Sequence, residues 1–210
     1  MRLILVRHGE TEWNEKSIFR GREDIPLNDT GIRQAYAAAD RLSAYKIDSI
    51  YSSPLNRALE TAQIIGTQFG IRAKAEDDLV DFDFGEWQGA AKENIEKLFP
   101  ELYTKWMKEP QAVRIPGGET LDLVKIRVSR VLNRLPAAGG GDIIIVSHRV
   151  ILKVLICAAL SIGDSGFWRI RMDVGSISVL ENEDGKFRLS LLNDTYHLGQ
   201  LKSGPAAEDF

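Results

Sequence analysis

The feature that most limits the fold of this chain is a set of short, uninterrupted apolar runs separated by longer stretches of helical period. Leu3-Ile4-Leu5-Val6 and Ile143-Ile144-Ile145-Val146 lack the alternating polar positions of a half-exposed strand. Runs of this kind suit strands buried on both faces, which need helices above and below them. The pattern therefore predicts a three-layer α/β/α sandwich around a mostly parallel sheet. Asp48-Ser49-Ile50-Tyr51-Ser52 reads as a second strand, and residues 71–76 supply a third. Ser176 to Leu180 and Phe187 to Leu192 read as a closing hairpin turned by Asn182-Glu183-Asp184-Gly185. With one strand antiparallel, the sheet is expected to hold about six strands.

Helix signals fill the intervals. Asn28 is placed as an N-cap, with Ile32, Ala35, Tyr36, Ala39 and Leu42 on one face. Ser53 reads as the next N-cap with Pro54 at the first helical position, Leu55, Ala58, Leu59, Ala62, Ile65 and Phe69 as the buried stripe, and Gly70 as the stop. The stretch from Asp77 to Pro116 is irregular and aromatic, with short helices expected around 92–108 over one end of the sheet. A helix is expected from Glu119 to Leu135, then a loop from Ala137 to Gly141, and a nearly all-apolar helix from Val150 to Leu160. Repeats and low-complexity tracts are absent from the sequence, so residues 1–201 read as a single domain and 202–210 as a polar tail.

Composition removes several function classes. The 210 residues are 44% hydrophobic and 27% charged, a balance that argues against disorder. Apolar runs fall short of the ~20 residues that span a bilayer, and the start MRLILVRHGE turns charged too early for a signal peptide, so no membrane is expected. Cys157 stands alone, which points to a reducing, cytoplasmic compartment. A net charge of −3 gives no electrostatic case for nucleic acid. Oligomeric state is left open, a homodimer being the assembly base rates favour.

In open parallel sheets, ligands bind beyond the carboxyl ends of the strands. Three such ends carry unusual residues: Arg7-His8-Gly9-Glu10, Ser53 to Arg57, and Ser147-His148-Arg149. Parallel strands would bring two of the three histidines and two arginines to one edge, where helix N-termini also point. That combination suits a dianion, phosphate above all. Each residue also has an ordinary reading, a satisfied structural histidine or a solvated arginine.

The segments LILVRHGETEWN, GREDIPLNDTGIRQA, IYSSPLNRALETA, LVDFDFGEWQG, IPGGETL, IIIVSH and NDTYHL occur in order from Leu3 to about Leu198. Together they resemble the histidine phosphatase superfamily, in its phosphoglycerate-mutase-like branch of small cytosolic phosphatases. The resemblance implies metal-independent phosphoryl transfer without a cofactor, on a small phosphate ester. His8 in Arg-His-Gly would be the nucleophile. Arg7, Arg57 and His148 match phosphate-pocket positions, and Asn14 matches one that also touches phosphate, though it equally suits a loop-capping role. Asp81 stands where the small phosphatases usually place a glutamate and is the candidate general acid, with Asp83 and Glu86 as alternatives.

Other departures bear on the substrate. Arg20 replaces a usual glutamine and Arg149 a usual glycine. An arginine facing the pocket would imply a second anionic group on the substrate; for Arg149, a solvent-facing or ion-paired role is the preferred expectation. Phe82, Phe84, Trp87, Trp106 and Trp168 suit either an apolar pocket wall or core. His197 is a candidate on the substrate side. The alternatives to a phosphatase are a cofactor-dependent phosphoglycerate mutase and a weakly active phosphate-ligand binding module. The short excursion between Gly89 and Ile115 favours hydrolysis over the mutase.

Overall fold

The computed structural model describes residues 1–135 and 141–204. Its strands are β1 (Arg2–Arg7), β2 (Ile47–Ser52), β3 (Lys74–Ala75), β4 (Asp142–Ser147), β5 (Ile177–Glu183) and β6 (Lys186–Asp194). Its α-helices are α1 (Glu12–Glu15), α2 (Asp29–Leu42), α3 (Asn56–Phe69), α4 (Lys92–Leu98), α5 (Pro100–Lys108), α6 (Leu121–Arg134) and α7 (Arg149–Ala159). The six strands form one sheet in the order β3-β2-β4-β1-β5-β6. β4 pairs in parallel with both β1 and β2, β2 pairs in parallel with β3, and β5 is antiparallel to both its neighbours. One strand therefore opposes the other five, as the apolar runs predicted.

Alternate residues of the central strands feed two cores. Leu3, Leu5, Ile143 and Ile145 join Val124, Val128, Ile151, Leu155 and Trp106 on one face, while Ile4, Val6, Ile144 and Val146 join Ala38, Leu42, Ala58 and Ile65 on the other. This period-2 division of an all-apolar run is what a strand sandwiched between two helical layers requires.

Several local expectations shift. Asn28 caps α2 by accepting from the Gly31 amide at 2.8 Å, but Tyr36 is exposed and Ala38 takes the inward position. α3 begins at Asn56 with Leu55 at its N-cap, two residues later than the expected Ser53 cap and Pro54 start. Ser53 Oγ still accepts from the Leu55 amide at 3.3 Å, so the serine closes a turn that precedes the helix. Gly70 ends α3 at φ 64°, a left-handed conformation open to glycine. β3 shrinks to two residues, and α6 starts at Leu121 behind the Thr120 cap. The loop expected at Ala137–Gly141 lies, except for Gly141, outside the described residues, as does the tail beyond 204.

Candidate active site

Three strand ends meet by backbone pairing. Arg7 stands opposite Ser147 in the β1–β4 register, the His8 amide donates to Ser147 O at 3.1 Å, and the Ser53 amide donates to Val146 O at 3.0 Å. Parallel pairing thus places Arg7-His8, Ser53 and His148 at one edge of the sheet. The loop leaving β1 lies tight against α2. A Cβ at Gly9 would fall 2.4 Å from Gly31 O, and one at Gly31 would fall 2.1 Å from Glu10 O, so both positions exclude side chains. Thr61 Oγ accepts from the Gly9 amide at 3.1 Å and donates to Arg57 O at 2.7 Å, tying this loop to the first turns of α3.

A cleft opens at this edge, lined by Arg7, His8, Phe19, Arg20, Gly21, Asp81, Phe84, Arg149 and Val150. His8 is buried, and its Nδ1 lies 2.7 Å from Gly9 O. A carbonyl oxygen only accepts, so Nδ1 carries the proton of the neutral ring and Nε2 keeps the lone pair. Burial, then Arg57 and His148, hold the His8 pKa well below its ordinary 6.5. The His148 ring lies 5.2 Å from that of His8, and its Nε2 is 2.7 Å from Ser53 Oγ. Burial, then Arg57 and Arg20, likewise push the His148 pKa well down.

Among the described residues, Asp81 is the carboxylate that lines the cleft. Its Oδ2 accepts from Arg57 Nη2 at 3.1 Å and lies 3.5 Å from His148 Nδ1, while Oδ1 accepts from the Phe82 amide at 2.8 Å. Arg57 is fully buried and also donates to Glu23 O and Gly21 O, each at 2.7 Å. Of the alternatives, Asp83 Oδ1 accepts from the Gly85 amide at 2.9 Å and Glu86 is exposed; neither lines the cleft. Asn14 Oδ1 accepts from the backbone and hydroxyl of Thr11, which is the loop-capping role, and its buried Nδ2 has no partner among the described residues.

Arg149 does not face solvent, since it is buried and lines the cleft beside Arg20. The first turn of α7 aims it there, because His148 at the N-cap already stands at the sheet edge. His197 is not part of the lining. Its Nε2 donates to Gly175 O at 3.1 Å, and the Gly175 amide donates to His8 O at 3.2 Å, so His197 supports the His8 backbone from behind. Phe84 alone of the five aromatic candidates lines the cleft; Phe82, Trp87 and Trp106 are buried in the core behind it and Trp168 packs against it.

A brace that sequence reasoning did not anticipate holds the segment bearing Asp81. Arg127 of α6 donates to Asp78 O at 2.8 Å, Val80 O at 2.6 Å and Asp81 O at 3.3 Å, and forms a two-pronged pair with Glu119 at 3.0 Å on each arm. Arg22 meets Glu119 at 3.4 Å from the other side. The only sequence signals were a charged position on the inward face of a predicted helix and the glutamate of IPGGETL.

With this geometry in view, the comparisons with known proteins give the class. The model of the histidine phosphatase superfamily (branch 1) matches residues 3–195, and the chain belongs to that family. Phosphoserine phosphatase 1 of Hydrogenobacter thermophilus is 36% identical over 202 residues, covering 96% of each chain. The alpha-ribazole phosphatase of Shigella flexneri superposes with a TM-score of 0.84 at 29% identity, over 92% of this chain and 96% of its own. A mycobacterial glucosyl-3-phosphoglycerate phosphatase, solved with VO3, superposes at 0.87 with 27% identity, over 92% and 99%. The protein is thus a histidine-phosphatase-type phosphoric monoester hydrolase. No helix among the described residues is long and apolar enough to cross a membrane.

Proposed function

We propose that this enzyme hydrolyses a small phosphate monoester through a phosphoryl group carried on His8, with Asp81 as proton donor and no metal ion. The observation that carries the reading is the placement of Asp81 Oδ2 3.1 Å from the buried Arg57 guanidinium, in the cleft that His8 also lines. His8 Nε2 attacks phosphorus as the P–O ester bond breaks, and the departing alkoxide takes the proton from Asp81. The Asp81 carboxylate then takes a proton from water, whose oxygen attacks phosphorus and breaks the P–N bond. Inorganic phosphate leaves and His8 returns to its neutral form.

Arg7, Arg57 and His148 supply donors and charge for the equatorial oxygens. The Nδ2 of Asn14 is a buried donor that a phosphoryl oxygen would satisfy. Between Gly89 and Ile115 the chain forms only α4, α5 and a short turn, which supports hydrolysis over transfer to a second substrate. The relatives are named for phosphoserine, alpha-ribazole and glucosyl-3-phosphoglycerate, so a panel of phosphorylated metabolites ranked by kcat/KM selects among such esters.

The test is turnover of an aryl phosphate in excess chelator, together with trapping of an acid-labile phosphoenzyme on His8. Failure of wild type to give either overturns the proposal and favours a binding module.

A further inference from the structure

His8 and His148 are both buried, and burial first and the Arg57 charge next hold both rings neutral. A neutral imidazole has one N–H and one lone pair, so the partner of one nitrogen decides what the other nitrogen offers. For His8 that partner is Gly9 O at Nδ1, which leaves the Nε2 lone pair open.

For His148 the partner is a hydroxyl. Nε2 lies 2.7 Å from Ser53 Oγ, and the other partner of that oxygen among the described residues is the Leu55 amide, a donor, at 3.3 Å. Were Nε2 to carry the ring proton, Ser53 Oγ would accept twice and its own proton would be left unpaired on a fully buried side chain. Donation from Ser53 to Nε2 satisfies both groups and puts the ring proton on Nδ1. That nitrogen is buried, has no hydrogen-bond partner among the described residues, and faces Asp81 Oδ2 at 3.5 Å. The opposite tautomer would turn a lone pair toward that carboxylate. Backbone pairing fixes the contact, because the Ser53 amide donates to Val146 O at 3.0 Å, two residues before His148. The ends of β2 and β4 therefore hold hydroxyl and ring together.

We propose that Ser53 is a positioning residue: its hydroxyl, donated to His148 Nε2, fixes the Nδ1–H tautomer, so that His148 meets a phosphoryl oxygen as a donor while His8 keeps its lone pair open for attack. This catalytic role rests on the hydrolytic reading of the cleft; the tautomer does not.

Long-range 1H–15N correlation spectra test it, because the protonated and the bare nitrogen of a neutral ring resonate far apart. Signals of His148 are assigned by their loss in His148→Gln. Wild type is expected to carry the proton on Nδ1, Ser53→Ala to populate both tautomers, and Ser53→Thr, which keeps the hydroxyl, to hold the Nδ1–H form. A protonated Nε2 in wild type, or an unmixed Nδ1–H form in Ser53→Ala, overturns the proposal. If Ser53→Thr does not fold, the other two spectra decide. Ser53→Ala is also expected to lower kcat about tenfold on alkyl and aryl phosphates alike, since the loss falls on the phosphoryl group and not on the leaving group. No loss, or a loss confined to alkyl phosphates, overturns the catalytic role. If wild type turns over no phosphate ester at all, it is the hydrolytic reading that fails. Calorimetric titration with inorganic phosphate then decides: binding about tenfold weaker in Ser53→Ala, the worth of one charge-assisted hydrogen bond, sustains the donor role of His148, and equal affinity overturns it.

Discussion

Arg57 Nη2 stands 3.1 Å from Asp81 Oδ2, with both side chains buried, so a cation suited to the phosphoryl group and a carboxyl suited to the leaving oxygen share one contact. In Asp81→Asn the amide keeps the shape but cannot deliver a proton. The kcat/KM for an alkyl phosphate is expected to fall about 10³-fold and that for an aryl phosphate less than about tenfold, because a phenolate leaves with little help. Equal losses on both would transfer the role to Asp83 or Glu86.

His8→Ala removes the nitrogen proposed to attack phosphorus and leaves the arginines in place. Turnover is expected to drop by at least about 10⁴-fold while phosphate and vanadate still bind, as read by calorimetry. Retained turnover would take His8 out of the mechanism.

Arg127 holds the carbonyls of Asp78, Val80 and Asp81 through one side chain. Arg127→Ala leaves Glu119 buried with, among the described residues, Arg22 alone to pair with it, and the expected loss of stability is about 3 kcal/mol in a urea titration. A displaced Asp81 should lower kcat for alkyl phosphates by about tenfold beyond any loss on aryl phosphates. A stable variant with an unchanged alkyl-to-aryl ratio would show that the brace does not position the carboxyl.

The buried histidines set a pH dependence. The unfolded chain takes up a proton at His8 and at His148 near pH 6.5, whereas the folded chain resists it, so the unfolded state binds more protons below that pH. Stability is therefore full above about pH 6.5 and is lost as pH falls through the window toward the depressed folded values, by about 1.4 kcal/mol per pH unit for each such histidine. His197, lowered chiefly by burial, adds in the same direction. Urea titrations between pH 7 and 5.5 are expected to show a shallower slope in His8→Gln than in wild type. Identical slopes would refute the contribution of His8.

Gly9→Ala places a methyl against the Gly31 carbonyl, and neither backbone can retreat without moving the His8 loop or the start of α2. A loss of about 2 kcal/mol and a fall in turnover are expected together. Full activity and an unchanged melting temperature would contradict that packing.

Period and strand-end logic were enough to place Arg7, His8, Arg57 and His148 near one another, because parallel pairing of all-apolar runs leaves little freedom in which edge is which. The start of α3 was misjudged because Ser53, a good N-cap in isolation, is engaged across the sheet by His148, a contact 95 positions away in the chain. The solvent-facing reading of Arg149 failed for a related reason: rotation about a helix axis is decided by packing, and α7 buries nearly its whole circumference. The Arg127 brace and the retreat of His197 behind Gly175 depend on how an irregular segment folds back on the sheet, which periodicity does not encode. Asp81, by contrast, was placed by its motif and not by any period.

His8 and His148 follow β1 and β4, strands that have hydrogen-bonded neighbours on both sides, while Asp81 sits in an irregular stretch to which the side chain of Arg127 is fastened. The two halves of the site therefore belong to parts of the molecule with different opening free energies. Backbone amides at 3–6 and 143–146 are the ones to exchange with solvent last, and those at 80–84 among the earlier ones. A lineage of such enzymes can accordingly rebuild the segment around Asp81, substitution by substitution, while the strand ends that carry His8 and His148 stay as they are.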